Sequence, residues 1–339
     1  MSWPTSCVRH NELLANHTSF RIGGPAEWFA EPETLDELLA VLREATQAGV
    51  PVCVLGGGTN ALVADRGLAG LVISLGKTFR TTELLPSTSP DQARVRPSTI
   101  AQPFDIAQGG ERVEPDATLS RVERVRCGAA VSTQRLVALG CQHGWGEVDI
   151  LAGLPGQIGG AIIMNAQNIG QFLETVTLVG YDGAVKHLSR EAMQFTYRYT
   201  ALEPGIVVEA IFRFSVLPVE ESLARIQQML TRRNTTQDVR LPSAGCAFKN
   251  PPGHSAGRLI DEAGLKGARI GDAQVSARHA NFIVNLGQAT CEDVLSLMEH
   301  IQRRVFDHHG VWLEPEVRLF GEPRQRTQTA DLGLQSTDV

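Results

Sequence analysis

The sequence predicts an α+β protein with more than one core, on three observations. An apolar, β-branched run near the N-terminus ends in three consecutive glycines, the middle of the chain is rich in strand patterns, and a basic segment of mixed helices and strands follows. With 339 residues there is room for two or three domains. A hydrophobic content of 42% and a charged content of 20% describe a globular chain and not a disordered one.

Residues 18–30 read as a strand, a tight turn at Gly23-Gly24 and a second strand. Thr34 and Glu37 form a capping box, and Leu35, Leu38, Leu39 and Leu42 then repeat at helical spacing up to Gly49. Residues 51–55 are a short buried strand that runs directly into Gly56, Gly57, Gly58, Thr59 and Asn60. Glycines strip the side chains from a strand exit and let successive N–H groups turn into one concavity, which suits phosphate or pyrophosphate. By itself the run is equally an ordinary Gly-rich turn. It is not a Walker loop, because no Lys-Ser/Thr follows, and no Gly-x-Gly-x-x-Gly opens a helix.

Residues 71–73 read as another buried strand, and residues 78–122, rich in Ser, Thr, Pro and Gln, as a long, partly disordered insertion. A strand over 124–128 leads to Ser132, which caps a helix that turns Leu136, Val137 and Leu139 inward and ends by Gly144. A second glycine cluster over 153–161 runs into the apolar stretch 162–165. Strands over 175–181 and 184–188 flank the hairpin turn Asp182-Gly183, and 206–216 alternates as a further strand. An amphipathic helix follows over 220–233, with Leu223, Ile226 and Leu230 on its apolar face, then a shorter helix over 255–263 and a strand over 281–285. Thr290 caps a long helix that stops at Gly310. Residues 311–320 place Val311, Leu313, Val317 and Leu319 on one face of a last strand, and the tail from 322 is polar and frayed.

Net charge is −6, which argues against nucleic acid as a partner, yet residues 225–278 hold nine basic side chains against four acidic ones. Such a local field attracts a small polyanion, although scattered charges on a solvated helix face give the same count. The six cysteines form no CxxC pair, which points to a reducing compartment and away from structural zinc or a disulfide framework. The histidines have no metal-like spacing and read as structural. No run approaches the roughly 18 apolar residues of a membrane span, and the N-terminus lacks the basic-then-apolar pattern of an export signal. The expectation is a cytoplasmic monomer with no membrane partner and no metal.

Several motifs recur in a specific order: residues 17–24 (HTSFRIGG), 55–62, 153–165, Tyr197-Arg198, 242–251 (PSAGCAFKNP), 280–285 and 313–318 (LEPEVR). In this order they resemble the UDP-N-acetylenolpyruvoylglucosamine reductase (UDP-N-acetylmuramate dehydrogenase) family over about 16–321, interrupted by 78–122. The resemblance implies a two-subdomain FAD-binding domain of the vanillyl-alcohol-oxidase/PCMH type plus a C-terminal α+β substrate-binding domain. The expected boundaries are 1–77, 78–217 and 218–321, with 322–339 as tail. It also implies NADPH-dependent reduction of UDP-N-acetylglucosamine enolpyruvate to UDP-N-acetylmuramate through FAD, in peptidoglycan precursor synthesis. Alternatives are another FAD-dependent oxidoreductase of the same fold, or a non-catalytic flavin- or nucleotide-binding regulator.

The same resemblance implies the site. Leu55, Gly56, Gly57, Gly58, Thr59, Asn60, Gly153, Pro155, Gly156, Ile158, Gly159, Gly160 and Tyr197 would hold FAD. Arg198 would hold the substrate carboxylate as charge builds there, Glu316 would donate or polarise a hydrogen bond, and Cys246 would protonate C2. Lys249, Asn250 and Arg233 would bind substrate, with Arg232 and Arg240 adding field. Cys246 stands where the family usually has serine; a thiol ordinarily ionises near pH 8.5 and is a stronger acid than an alcohol. Two further departures are the bulky, polar 167–171 run and Thr236-Gln237-Asp238 in place of the usual Lys/Arg-Gln-Pro.

Overall fold

A computed structural model of the chain describes residues 3, 6–86, 94–95, 120–237 and 241–322. They fall into two compact units, the first drawn from 1–12, 26–59 and 69–240, the second from 13–25, 60–68 and the residues after 240.

The first unit holds two larger sheets and a two-stranded hairpin. The smaller has the order Val8–Leu13, Pro25–Ala30, Leu68–Ile73, Val52–Val54. Its last two strands are parallel, with Val52 opposite Leu71. The helix Leu35–Gln47 comes before both of these strands and buries Leu38, Val41, Leu42 and Ala45 in the same unit's core. Thr34 accepts the Glu37 N–H as expected, but the Glu37 carboxylate takes the Glu33 N–H, so the cap is not the reciprocal box. The larger sheet is antiparallel, ordered Val185–Ser189, Leu173–Gly180, Gly205–Ser215, Ser120–Gly128, Thr82–Leu85. The Asp182-Gly183 turn joins its first two strands, and Asp182 Oδ1 accepts the Ala184 N–H at 3.0 Å. Ser132 caps Thr133–His143, which ends at Gly144 in the left-handed region.

The second unit is a four-stranded antiparallel sheet, ordered Ser243–Cys246, Phe282–Asn285, Ala273–Val275, Arg269–Ile270. Its core includes the helices Ala256–Glu262 and Cys291–His309. Thr290 and Asp293 form a complete capping box there. A parallel pair, Ala61–Val63 with Arg318–Phe320, completes the unit.

Several expectations are corrected. Residues 18–24 form no strand: a 3-10 turn, Leu14–His17, precedes them, and the strand lies earlier, at Val8–Leu13. Ordered strands enter both ends of the expected insertion, Thr82–Leu85 and the start of Ser120–Gly128, while most of 87–119 lies outside the described residues, as does the tail beyond 322. The helix Val219–Thr236 belongs to the first unit and not to the C-terminal segment, and its Leu223 is exposed. Ser222 on that helix donates to the Trp145 carbonyl at 2.8 Å, a tertiary tie that no periodicity shows. Pro315 interrupts the last expected strand, so only Arg318–Phe320 is regular and Leu319 faces outward. Among the described residues no helix is long and apolar enough to cross a membrane.

Candidate active site

In the first unit the two glycine clusters meet. A Cβ placed on Gly57 would lie 3.2 Å from Gly156 Cα and 3.4 Å from the Gln157 nitrogen, and one on Gly156 would lie 2.9 Å from Thr59 Oγ1. Thr59 Oγ1 donates to the Pro155 carbonyl at 3.4 Å. Gly156 also has φ +123°, which L side chains rarely adopt. The approach therefore needs glycine on both strands of backbone. The N–H groups of Gly56 and Gly57 make no hydrogen bond among the described residues, so these donors suit an anionic diphosphate.

Other residues expected at this cradle support it from behind. Leu55 is buried and its N–H donates to Ile73. Ile158 is fully buried, and the N–H groups of Ile158 and Gly159 go to the Val131 and Ala129 carbonyls. Gly160 is open, with nothing within 4 Å of an added Cβ. Arg233, expected to bind substrate, is buried, donates to the Ile150 carbonyl at 3.1 Å, and its Cδ would meet a Cβ on Gly153 at 3.1 Å. Gln134 Nε2 donates to the Leu154 carbonyl at 2.7 Å. Gly156→Ala is expected to weaken FAD retention about 10- to 100-fold, from backbone strain of about 1–3 kcal/mol. The measurement is visible flavin absorbance per protein after purification, with wild-type stoichiometry as the contrary result.

Tyr197 and Arg198 form the two-residue turn of a hairpin between Gln194–Thr196 and Tyr199–Ala201, with Thr196 opposite Tyr199. Arg198 has φ +60°, a conformation that favours glycine or asparagine, and its guanidinium lies 5.5 Å from the Tyr197 ring centroid. Strain of this kind persists where neighbouring structure enforces it. Asn165 does part of that work: its Nδ2 donates to the Thr196 carbonyl at 3.0 Å and its Oδ1 accepts the Gly170 N–H at 3.1 Å. The unusual 167–171 run follows it, with Gln167 and Asn168 left-handed. Sequence reasoning gave Asn165 no role; its signal was its place at the end of the 153–165 motif.

In the second unit Cys246 and Glu316, 70 positions apart in the sequence, share one strip of backbone. The Ala247 carbonyl accepts the Glu316 N–H at 2.8 Å, Phe248 bridges to Pro315, and the Lys249 N–H donates to the Glu314 carbonyl at 2.9 Å. Gly245, at φ +77°, sits where the Ser243–Cys246 ladder slips, a bulge that re-aims the cysteine. Asn60 joins on the far side: its Nδ2 donates to the Glu316 carbonyl at 3.1 Å and its own carbonyl takes the Arg318 N–H at 3.0 Å. Both Cys246 and Glu316 are half-buried. Lys249 Nζ lies 3.3 Å from Glu314, and Asn250 Oδ1 accepts the Ala256 N–H at 2.9 Å, at the start of a helix. Arg240 and Asp238 lie outside the described residues.

Comparison with known proteins gives the class of protein and then its family. The model for an FAD binding domain matches residues 26–102, which include the first glycine cluster, so the chain is a flavoprotein of the FAD-dependent oxidoreductase class. The model for the UDP-N-acetylenolpyruvoylglucosamine reductase C-terminal domain matches 237–320. A reductase of that name from Symbiobacterium thermophilum is 36% identical over 320 residues, covering 93% of this chain and 92% of the relative. One from Syntrophotalea carbinolica is 39% identical over 322 residues, covering 94% and 95%. The crystal structure of the enzyme from Thermus caldophilus superposes with a TM-score of 0.70 at 36% identity, covering 91% of this chain and 97% of that one. The chain belongs to the UDP-N-acetylenolpyruvoylglucosamine reductase family.

Proposed function

We propose that the chain reduces UDP-N-acetylglucosamine enolpyruvate to UDP-N-acetylmuramate with NADPH, in the cytoplasm and as a monomer. Beyond the family relationship, the observation that carries this reading is the shared backbone strip of Cys246 and Glu316, joined by the Ala247 carbonyl and the Glu316 N–H.

FAD, when bound, supplies the hydride relay from NADPH to C3 of the enolpyruvyl ether. Hydride at C3 leaves an electron pair at C2 that spreads into the carboxylate, so fixed positive charge there lowers the barrier. Arg198 carries that charge, as a fork that matches a carboxylate. Cys246 gives its thiol proton to C2, which completes the lactyl ether, and the thiolate is then reprotonated. Glu316 hydrogen-bonds the reacting end of the substrate. Lys249, with Glu314 as its partner in this structure, takes the diphosphate, and Asn250 contacts the sugar side from the start of Ala256–Glu262. Arg233 holds the second glycine cluster instead of the substrate.

The test is spectroscopic. The purified yellow protein should be bleached by NADPH under anaerobic conditions and recoloured by the enolpyruvyl nucleotide alone. Rapid recolouring by oxygen with indifference to that nucleotide would favour a sugar oxidase of the same fold. No bleaching at all would favour a regulator.

A further inference from the structure

We infer that Asn281 is a positioning residue for the protonation step, acting through the Ala247–Phe248 backbone on Cys246 and Glu316; the inference rests on the function proposed above. The ladder between Ser243–Cys246 and Phe282–Asn285 pairs Ser243 with Val284 and Cys246 with Phe282, and slips in between. A slipped ladder leaves the strand beyond it short of regular pairing. Asn281 supplies what is missing. Its main-chain carbonyl accepts the Ala247 N–H at 2.8 Å, its Oδ1 accepts the Phe248 N–H at 2.9 Å, and its Nδ2 donates to the Phe248 carbonyl at 2.8 Å. One side-chain amide thus satisfies both polar groups of a single buried residue, Asn281 itself being 3% exposed.

The opposite edge of the same strip carries Glu316, through the Ala247 carbonyl. The strip therefore has the proton donor at its start, the carboxylate on one edge and Asn281 on the other. Loosening the Asn281 edge frees the spacing between Cys246 and Glu316 without touching either side chain. A carboxylate at 281 keeps the acceptor for the Phe248 N–H but loses the donor, and sets an oxygen against the Phe248 carbonyl. Asn285 is an internal control. It is also 3% exposed, and its side chain makes three bonds against the two of Asn281, to the Phe20 carbonyl and the N–H groups of Gly287 and Ala289, none of them on the 246–249 strip.

The experiment uses the FAD-loaded enzyme as Asn281→Ser, Asn281→Asp and Asn285→Ser. Melting temperature, the rate of bleaching by NADPH, and the rate and solvent deuterium isotope effect of recolouring by the enolpyruvyl nucleotide are measured for each. The Asn281 variants should recolour about 10- to 100-fold more slowly with a larger isotope effect. Their bleaching should stay at the wild-type rate, and KM for the nucleotide should stay within about threefold. Asn285→Ser should lose comparable thermal stability and recolour as wild type does. Recolouring of Asn281→Ser at the wild-type rate, or bleaching slowed in step with it, would overturn the assignment. So would failure of both Asn281 variants to fold, which would make the residue a folding determinant. If wild type itself is not recoloured by the nucleotide, the proposed function fails and the inference falls with it, a result visible before any variant is made.

Discussion

Cys246→Ala should cut turnover by about 10²- to 10⁴-fold, the range for removing a positioned proton donor, while NADPH still bleaches the bound FAD at the wild-type rate. The two halves of the reaction separate the causes. Hydride uptake from NADPH needs the flavin and its cradle, whereas the proton at C2 needs an acid on the substrate side. Cys246 lies on the second unit's sheet, aimed by the Gly245 bulge, so alanine removes the acid and leaves the aim unchanged. Cys246→Ser restores the residue usual in the family and should retain turnover within about tenfold, because a hydroxyl of similar size takes the same place as a weaker acid. Single-turnover absorbance with each substrate added in turn measures both halves. Wild-type recolouring by Cys246→Ala would remove the thiol from the mechanism.

Arg198→Gly should lower kcat/KM by about 10²- to 10³-fold, as for loss of one preorganised donor to a developing charge, and leave stability within about 1 kcal/mol. Arginine at φ +60° in a two-residue hairpin turn is strained, and glycine adopts that conformation freely. The substitution therefore relieves backbone strain while it removes the guanidinium. Arg198→Lys keeps the charge and loses the fork, so it should recover part of the rate and none of the relief. Steady-state kinetics beside chemical denaturation check both predictions. A variant that loses stability in proportion to activity would mark the arginine as a turn residue and no more.

Local signals were legible where the physics is local. Thr34, Ser132 and Thr290 cap helices because each oxygen needs only an N–H three residues on, and Asp182-Gly183 turns because its geometry is contained in four residues. The hairpin signal at Asp182-Gly183 exposed Leu173–Gly180, read as 175–181, and hydrophobic alternation exposed Gly205–Ser215, read as 206–216. The motif order, including the stretches around Cys246 and Glu316, exposed the family. Irregular segments were misread: 18–24 and 311–317 carry apolar residues at strand-like spacing, yet their backbone bonds go elsewhere. The Glu316 N–H, for instance, goes to the Ala247 carbonyl. The burial of Arg233 is likewise invisible in a lone helix repeat, where its charge suggests only a ligand.

The sequence by itself determined the glycine clusters, the caps and turns, the cysteine in the place of serine, and the family these define, since each depends on residue type and short spacing. Only the tertiary structure decided that Gly57 and Gly156 close on each other, that Arg198 occupies a left-handed turn, and that Asn281 and Glu316 grip opposite edges of the Cys246 strip. The reason is hydrogen-bond satisfaction at long range. A buried backbone group outside a regular ladder must find a partner, and which distant residue supplies it is set by how the whole unit packs.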